Sequence, residues 1–562
     1  MQEKSRNFLF LFKKEKMSQG FKDLKVYKLA YEAAMKKTLI LFVLIINLNN
    51  SFPQQVYHHI SNSTIYTFLD ELSNQQLISL NSAVKPYSRT FIADKLQEVS
   101  DQKENLNQRQ IKKLEFYLKD FNKELLPDKN FNKRLDLFYY KDSLFTFSIN
   151  LIGGLQYWTN KNGSVYHRWN GAEAFAYVGK HWGFYASLRD NHENEILSED
   201  HFLNQRMGGN YKAKYDYSEM RGGVTYSWKW GSLGLIKDHF AWGNNHNGSN
   251  IFSGRTPSFV TFNLNLKPVK WLDFHYVHGR IISEVIDSTR SYYLVNSYGL
   301  NYREVFFHKF LAANFFTITP VKRLNISFGN SIVYSDLGVY PAYLIPIFFY
   351  KSVDHTVNSG IDNQNSQMFF DISSRQIKNL HLYAGLFIDE IAIGRMFKPD
   401  EHSNFYSAKA GFTLSNYPLQ NLSITAEYTR TNPLTYRHYV PTITFESNRF
   451  NLGHYLMDNA KEFFFEIESR PIRGLNIHLS YTHAQKGPDY TLPGADRLGL
   501  PFMEMVEWEN KTLALKARYE AINDGFVFAE FLFRDITGVE SYTPEFWYGR
   551  TSTVSVGVNF GF

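Results

Sequence analysis

Residues 253–282 read SGRTPSFVTFNLNLKPVKWLDFHYVHGRII. In the first half Val260, Phe262, Leu264 and Leu266 alternate with Thr261, Asn263, Asn265 and Lys267, the period of a strand with one apolar and one polar face. The chain is predicted to turn at Lys267-Pro268-Val269-Lys270, after which Leu272, Phe274 and Tyr276 open a second, antiparallel strand. The turn recurs as Thr319-Pro320-Val321-Lys322-Arg323-Leu324, Tyr417-Pro418-Leu419-Gln420-Asn421-Leu422 and Arg470-Pro471-Ile472-Arg473-Gly474-Leu475, with a copy lacking proline at Arg375-Gln376-Ile377-Lys378-Asn379-Leu380. A repeat of roughly 40 to 55 residues suits two membrane-crossing strands plus a long loop, and also a soluble propeller.

The C-terminal strand decides between them. Residues 551–562 read TSTVSVGVNFGF, with Val554, Val556, Val558, Phe560 and Phe562 on one face and Ser555, Gly557, Asn559 and Gly561 on the other. Apolar residues out and small or polar residues in is the dyad of an outer-membrane barrel strand. The terminal aromatic resembles the signal by which the barrel-assembly machinery recognises such chains, so that machinery and outer-membrane lipid are expected partners.

The formal charge of +7 over 562 residues is misleading. Residues 1–37 hold ten Lys or Arg against four acids, and from Gln55 onward 51 basic residues face 50 acidic ones. A basic surface for nucleic acid is therefore not supported. The chain has no cysteine, which fits an exported protein that needs no disulfide and excludes a lipoprotein anchor.

Met35-Lys36-Lys37 followed by the apolar run 38–46 reads as a signal peptide over 35–54, too short to span a bilayer. Residues 1–34, part of which resembles the opening of small bacterial four-helix-bundle proteins, are expected to be an extension ahead of a true start at Met35. Over 55–135 the period lengthens to that of helices. Ile65, Phe68, Leu69 and Leu72 share one face, Ile92, Leu96 and Val99 a second, and Ile111, Leu114, Leu118, Phe121 and Leu125 a third, with Ser88 as an N-cap and Asn107 with Gln110 as a capping box. A small periplasmic α-helical bundle is predicted there. The fold class is thus an all-β transmembrane protein: an antiparallel outer-membrane β-barrel of about eighteen strands over 136–562, preceded by that bundle.

Short connections alternate with long ones, and eight long loops are expected outside: 191–218, 242–256, 288–304, 336–364, 393–404, 432–460, 486–507 and 537–550. Trp182, Trp230 and Trp271 fall at the short-turn end, and Trp158, Trp169, Trp242, Trp508 and Trp547 at the long-loop end, as two interfacial girdles require.

Several runs carry a resemblance: Phe68-Leu69-Asp70-Glu71-Leu72, Val84-Lys85-Pro86-Tyr87-Ser88-Arg89, Trp228-Lys229-Trp230-Gly231, Trp242-Gly243-Asn244-Asn245 and Ser253-Gly254-Arg255-Thr256-Pro257-Ser258. From about residue 57 to the C-terminus the chain resembles the Wzi family of capsule-assembly outer-membrane proteins, in a form found in Bacteroidetes. The resemblance implies a closed barrel and a lectin-like hold on capsular polysaccharide. Gliding-motility outer-membrane proteins of Bacteroidetes look similar, so a gliding role and a passive porin-like channel are the alternatives.

Sugars are held by aromatic faces and by planar amide, carboxylate or guanidinium groups on hydroxyls. The predicted outer loop with Trp242, Asn244, Asn245, His246 and nearby Arg255 has that chemistry, and Tyr436 with Arg437 forms a second cluster. These are the candidate polysaccharide-binding residues. Asp238-His239 and Ser480 with His483 offer isolated catalytic residue types without a triad pattern, and Asp238, His239 and His246 a chance set of metal-ligand types. No enzyme activity, cofactor or metal is expected.

Overall fold

The computed structural model describes residues 54–561 apart from 128–129, 200, 212–213, 297–298, 336–337, 358–362 and 492–496. Residues 1–53, on which the expected extension and signal fall, lie outside the described residues. Helices α1 (Ser63–Asn74), α2 (Arg89–Ser100) and α3 (Gln108–Leu125) come first. Their predicted stripes meet in one cluster: Ile65, Phe68, Leu69 and Leu72 with Ile92, Leu96, Val99, Leu114 and Phe121 buried, and Ile111, Leu118 and Leu125 at its edge. Each fully buried side chain contributes about 1.5–3 kcal/mol. The caps form as the sequence suggests. Phe91 N donates to Ser88 Oγ over 3.2 Å, and Asn107 and Gln110 close a capping box.

Eighteen antiparallel strands close into a barrel. They are β1 (Phe145–Asn160), β2 (Gly163–Val178), β3 (Trp182–Glu193), β4 (Asp216–Trp228), β5 (Gly231–Asp238), β6 (Phe259–Val269), β7 (Leu272–Ile286), β8 (Phe306–Val321) and β9 (Leu324–Ser335). The second half comprises β10 (Gln364–Ser374), β11 (Leu380–Glu390), β12 (Phe405–Ser415), β13 (Leu422–Thr431), β14 (Ala460–Ser469), β15 (Leu475–Lys486), β16 (Trp508–Ile522), β17 (Gly525–Gly538) and β18 (Gly549–Phe560). β18 pairs with β1, Val554 opposite Thr159 through Phe560 opposite Gly153, so no edge is left open. The alternation on β18 is the wall's own: Val554, Val556 and Val558 are 46–51% exposed, whereas Thr553 and Ser555 face inward and are fully buried.

Pro268 does not make the turn expected of it. β6 continues through it to Val269, with a bulge after Leu266, and the connection is Lys270-Trp271; Pro320 sits in the same place at the end of β8. A residue without an N–H fits a bulged strand end, where no ladder bond is asked of it. What several turns share is a left-handed residue just before the leucine that opens the next strand. Arg323, Asn379, Asn421 and Gly474 take φ of 67°, 69°, 62° and 89° ahead of Leu324, Leu380, Leu422 and Leu475.

The helices seat in the short-turn mouth. Asn379 N donates to Asn74 O over 2.6 Å, Arg323 Nη2 to Gln76 O over 2.9 Å and Asn523 Nδ2 to Phe116 O over 3.1 Å. Buried charges fasten the contact. Glu71 of α1 accepts from Asn416 of the mouth over 2.8 Å with Arg470 at 3.6 Å, and Arg375 reaches Asp70 over 2.7 Å, while Arg109 and Gln110 of α3, the latter over 2.7 Å, tie the same Glu71 within the helices.

Two expectations about the long-loop end are corrected. Trp158, Trp508 and Trp547 are 6%, 1% and 3% exposed and pack with Leu197, Leu203 and Leu456 inside the mouth; Trp169 is buried too, so these rings form no girdle. Strand parity explains it, since Trp158 shares a face with the buried Ser148 and Asn150. Secondly, residues 338–357, including helix α4 (Tyr350–Val357), lie against the outer wall instead of projecting away. Tyr343 and Tyr350 cover Tyr276, Ala312 and Tyr334, all on the same side of the wall as the exposed Phe262 and Phe328.

Candidate functional site

The loop between β5 and β6 was expected at the outer surface; it descends into the lumen. Ala241–Trp242 pairs there with Val84–Lys85 of the N-terminal segment and with Phe252–Ser253, making a three-stranded sheet inside the barrel. Gly243 turns the chain at φ 93°, where a Cβ would come within 2.9 Å of Ser249 Oγ, and its N–H donates to Ala83 O over 2.8 Å. Trp242 is 1% exposed. It stacks on Phe315 at 5.4 Å and 15° and meets Phe252 edge-on at 5.0 Å, so its faces are already covered. Burial of Trp242, Ile251 and Phe252 against the wall favours the inward path over a wet one.

The polar residues of the loop are likewise engaged. Asn244 donates from N and Nδ2 to Asp371 over 2.8 and 2.5 Å, and Asn245 Nδ2 to Gly243 O over 2.7 Å. His246 donates its backbone N–H to Glu427 over 2.6 Å and pairs through Nε2 with Glu466 over 2.8 Å. Burial alone would lower the His246 imidazole, but the carboxylates of Glu466, Glu427 and Glu468 push it up to about 9.

The loop from 432 to 459 also folds inward and completes the plug. Tyr436, 1% exposed, donates its hydroxyl to Asn250 O over 2.6 Å, Ser253 N donates to Leu452 O over 2.8 Å, and Lys309 Nζ reaches Thr444 O over 2.7 Å. Leu434, Tyr436, Asn448, Arg449, Met457 and Asn459 all take φ between 47° and 73°. Such conformations cost roughly 1–3 kcal/mol each for non-glycine residues and persist only where the surroundings impose them. At Tyr436 the result is directional: the ring goes down into the plug, and Arg437 lines a cavity above it.

That cavity, of about 90 Å³, lies among the long loops and is lined by Arg206, Tyr211, Arg255, Arg437, Arg449 and Tyr455 with other residues. Arg206 is held by Glu193 over 2.5 Å and Arg437 by Asp458 over 3.4 Å. Of the candidates from sequence, Arg255 and Arg437 come together here, whereas Trp242, Asn244, Asn245, His246 and Tyr436 belong to the plug beneath. Arg206, Tyr211 and Tyr455 were not foreseen, and no local pattern marks them. A larger cleft of about 560 Å³ opens at the short-turn end between α2 and the wall, lined by Tyr57, Phe91, Asp94, Trp228, Trp230 and Asn265 among others.

The isolated catalytic types do not assemble. Ser480 and His483 are three residues apart on β15 and so face opposite ways. Asp238 is held by Arg221 over 2.7 and 3.0 Å and by Tyr185 over 2.8 Å, while His239 Nδ1 meets His59 Nε2 at 3.1 Å. His59 joins Asp238 and His239 in one cluster; His246 lies with Glu466 instead. Burial holds both paired imidazoles below their usual range, which suits a neutral donor–acceptor pair.

No family model and no curated protein matches the chain in sequence. Among solved structures it is similar to Wzi of Escherichia coli, described as an outer-membrane protein involved in group 1 capsule assembly and as a carbohydrate-binding β-barrel. The superposition has a TM-score of 0.56 and covers 91% of this chain and 99% of that one. The chain shares the Wzi fold. At 12% identity the likeness to Wzi is one of fold, eighteen antiparallel strands preceded by helices. Pseudomonas aeruginosa OccD3 aligns over 74% of this chain and 90% of its own at 12% identity, and Acinetobacter baumannii OccAB2 over 74% and 97% at 10%, with TM-scores of 0.43 and 0.38.

Proposed function

We propose that this protein is a plugged outer-membrane barrel that holds surface polysaccharide at its long-loop end and performs no chemistry. The observation that carries the reading is the arrangement along the barrel axis: a cavity rich in guanidinium and tyrosine sits above a lumen filled by two inward loops. Arginine forks and tyrosine rings are suited to sugar hydroxyls and C–H faces. A filled lumen argues against a passive pore, because an aqueous channel needs the interior of the barrel free. The fold shared with Wzi, a carbohydrate-binding barrel, supports the same reading, and retention of a capsule is its most specific form.

The test is a deletion strain examined for cell-bound polysaccharide, polysaccharide shed into the medium, and spreading on agar. Shedding with normal spreading is the expected result. Loss of spreading with normal retention would move the role to gliding.

A further inference from the structure

Arg255 brings a guanidinium into the mouth cavity with no carboxylate paired to it. The residue is 8% exposed, and its Nε is enclosed without a hydrogen-bond acceptor. Among the described residues no carboxylate lies within ion-pair distance of it, and the Tyr455 ring lies 5.6 Å from the guanidinium carbon. Burial without compensation pulls the group down to about 10. Arg206 and Arg437, lining the same cavity, each hold a carboxylate. Glu199 and Glu284 line it as well; neither pairs with Arg255, and both can accept from sugar hydroxyls.

A buried, unpaired cation is costly unless something pairs with it, and a planar fork of donors matches an oxyanion in two parallel hydrogen bonds. The cavity, about 90 Å³, has room for such a group and a bridging water or two. Tyr211, Tyr455 and Phe450 supply apolar surface beside it. We infer that Arg255 is the seat of an oxyanion, supplied by the carboxylate of an acidic sugar or by a phosphate group. As a statement about the ligand's charge it rests on the glycan reading above; as a statement about Arg255 it stands on the unpaired guanidinium.

The experiment uses the full barrel in neutral detergent, wild type beside Arg255→Met and Arg255→Lys, titrated with trigalacturonate, inorganic phosphate and neutral maltotriose. At least one anion should raise the wild-type unfolding temperature and bind more weakly by about tenfold or more in Arg255→Met, with Arg255→Lys between them, and maltotriose should not tell the three apart. Whichever anion behaves so identifies the source, carboxylate or phosphate. Unliganded Arg255→Met should be at least as heat-resistant as wild type, since it removes an uncompensated charge. Wild type indifferent to both anions, or Arg255→Met binding them equally well, would overturn the inference. Polysaccharide from the producing cells separates the two claims: equal retention by wild type and Arg255→Met sinks the Arg255 seat and leaves the glycan reading standing, whereas anion binding without polymer binding does the reverse.

Discussion

Asn314 on β8 and Asn330 on β9 face each other on the outer side of the wall, and Asn330 Nδ2 donates to Asn314 Oδ1 over 2.8 Å. Amides near the middle of a lipid-facing wall are expensive unless bonded, and these two are bonded to the loop that lies over them. Asn314 Nδ2 donates to Pro346 O and Phe348 O, each over 2.9 Å, and Tyr350 N donates to Asn330 Oδ1 over 2.9 Å. Irregular backbone at membrane depth survives only with partners inside the protein. The pair supplies them, and Leu344, Ile347 and Phe349 point away from the wall.

Asn314→Ala with Asn330→Ala should therefore free this loop while leaving the barrel closed. Each lost amide leaves buried backbone groups unpaired, at about 1–3 kcal/mol. Protease added to intact cells should clip the double variant within 338–357 and spare wild type; equal resistance would mean that the asparagines do not hold the loop.

The cap is fastened by buried charge at Glu71. Glu71→Gln leaves Arg470 of the wall, and Arg109 of α3, facing a neutral amide, and breaking a buried pair in this way costs about 3–5 kcal/mol. The expected result is a barrel that keeps its heat-modifiable gel mobility but exposes residues 54–126 to protease. A variant as resistant as wild type would show that apolar packing alone seats the helices.

The pairing of His246 with Glu466 gives the plug a pH dependence of known sign. The imidazole is raised in the folded state to about 9, above its ordinary 6.5, so the stability it adds is fully present below pH ~6.5 and is lost as pH rises through about 9. Glu427 and Glu468 act in the same direction, while Lys409, 2.8 Å from Glu427, and His478, 3.4 Å from Glu466, share those carboxylates. Protection of the amides over 243–251, corrected for base-catalysed intrinsic exchange, should fall across that window in wild type and stay level in His246→Gln. A pH-independent wild type would contradict the pairing.

The wall was legible in the sequence because its determinants are local. The two-residue alternation of Val554, Val556 and Val558 and the periodic stripes of α1 to α3 each report a buried or lipid face within a few residues. The plug was not legible. Trp242, Asn244 and His246 have the composition of a ligand loop, and what draws them inward are Phe315, Asp371 and Glu466, which stand on three strands far along the chain. Parity was available for Trp158, which lies in register with Ser148 and Asn150, and it would have turned that ring from the girdle to the interior. Arg255 and Arg437 were chosen by residue type alone, and only folding brought them to one cavity.

With both loops in place the barrel should not conduct. In planar bilayers wild type should show no stable large openings, and deletion of 244–250, which removes the bonds to Asp371, Glu427 and Glu466, should create them. Trp242→Ala should weaken the plug by about 3–5 kcal/mol through the cavity it leaves. Large openings in wild type would restore the pore.

The most direct test is binding of surface polysaccharide, purified from the producing cells, to the detergent-solubilised barrel. The account predicts saturable binding at the long-loop end that survives deletion of 244–250 and is blocked when the mouth cavity is occupied by a bulky label on Arg437→Cys. Absence of binding by folded wild-type protein, or binding that the label leaves unchanged while deletion of the plug loop abolishes it, would contradict the account.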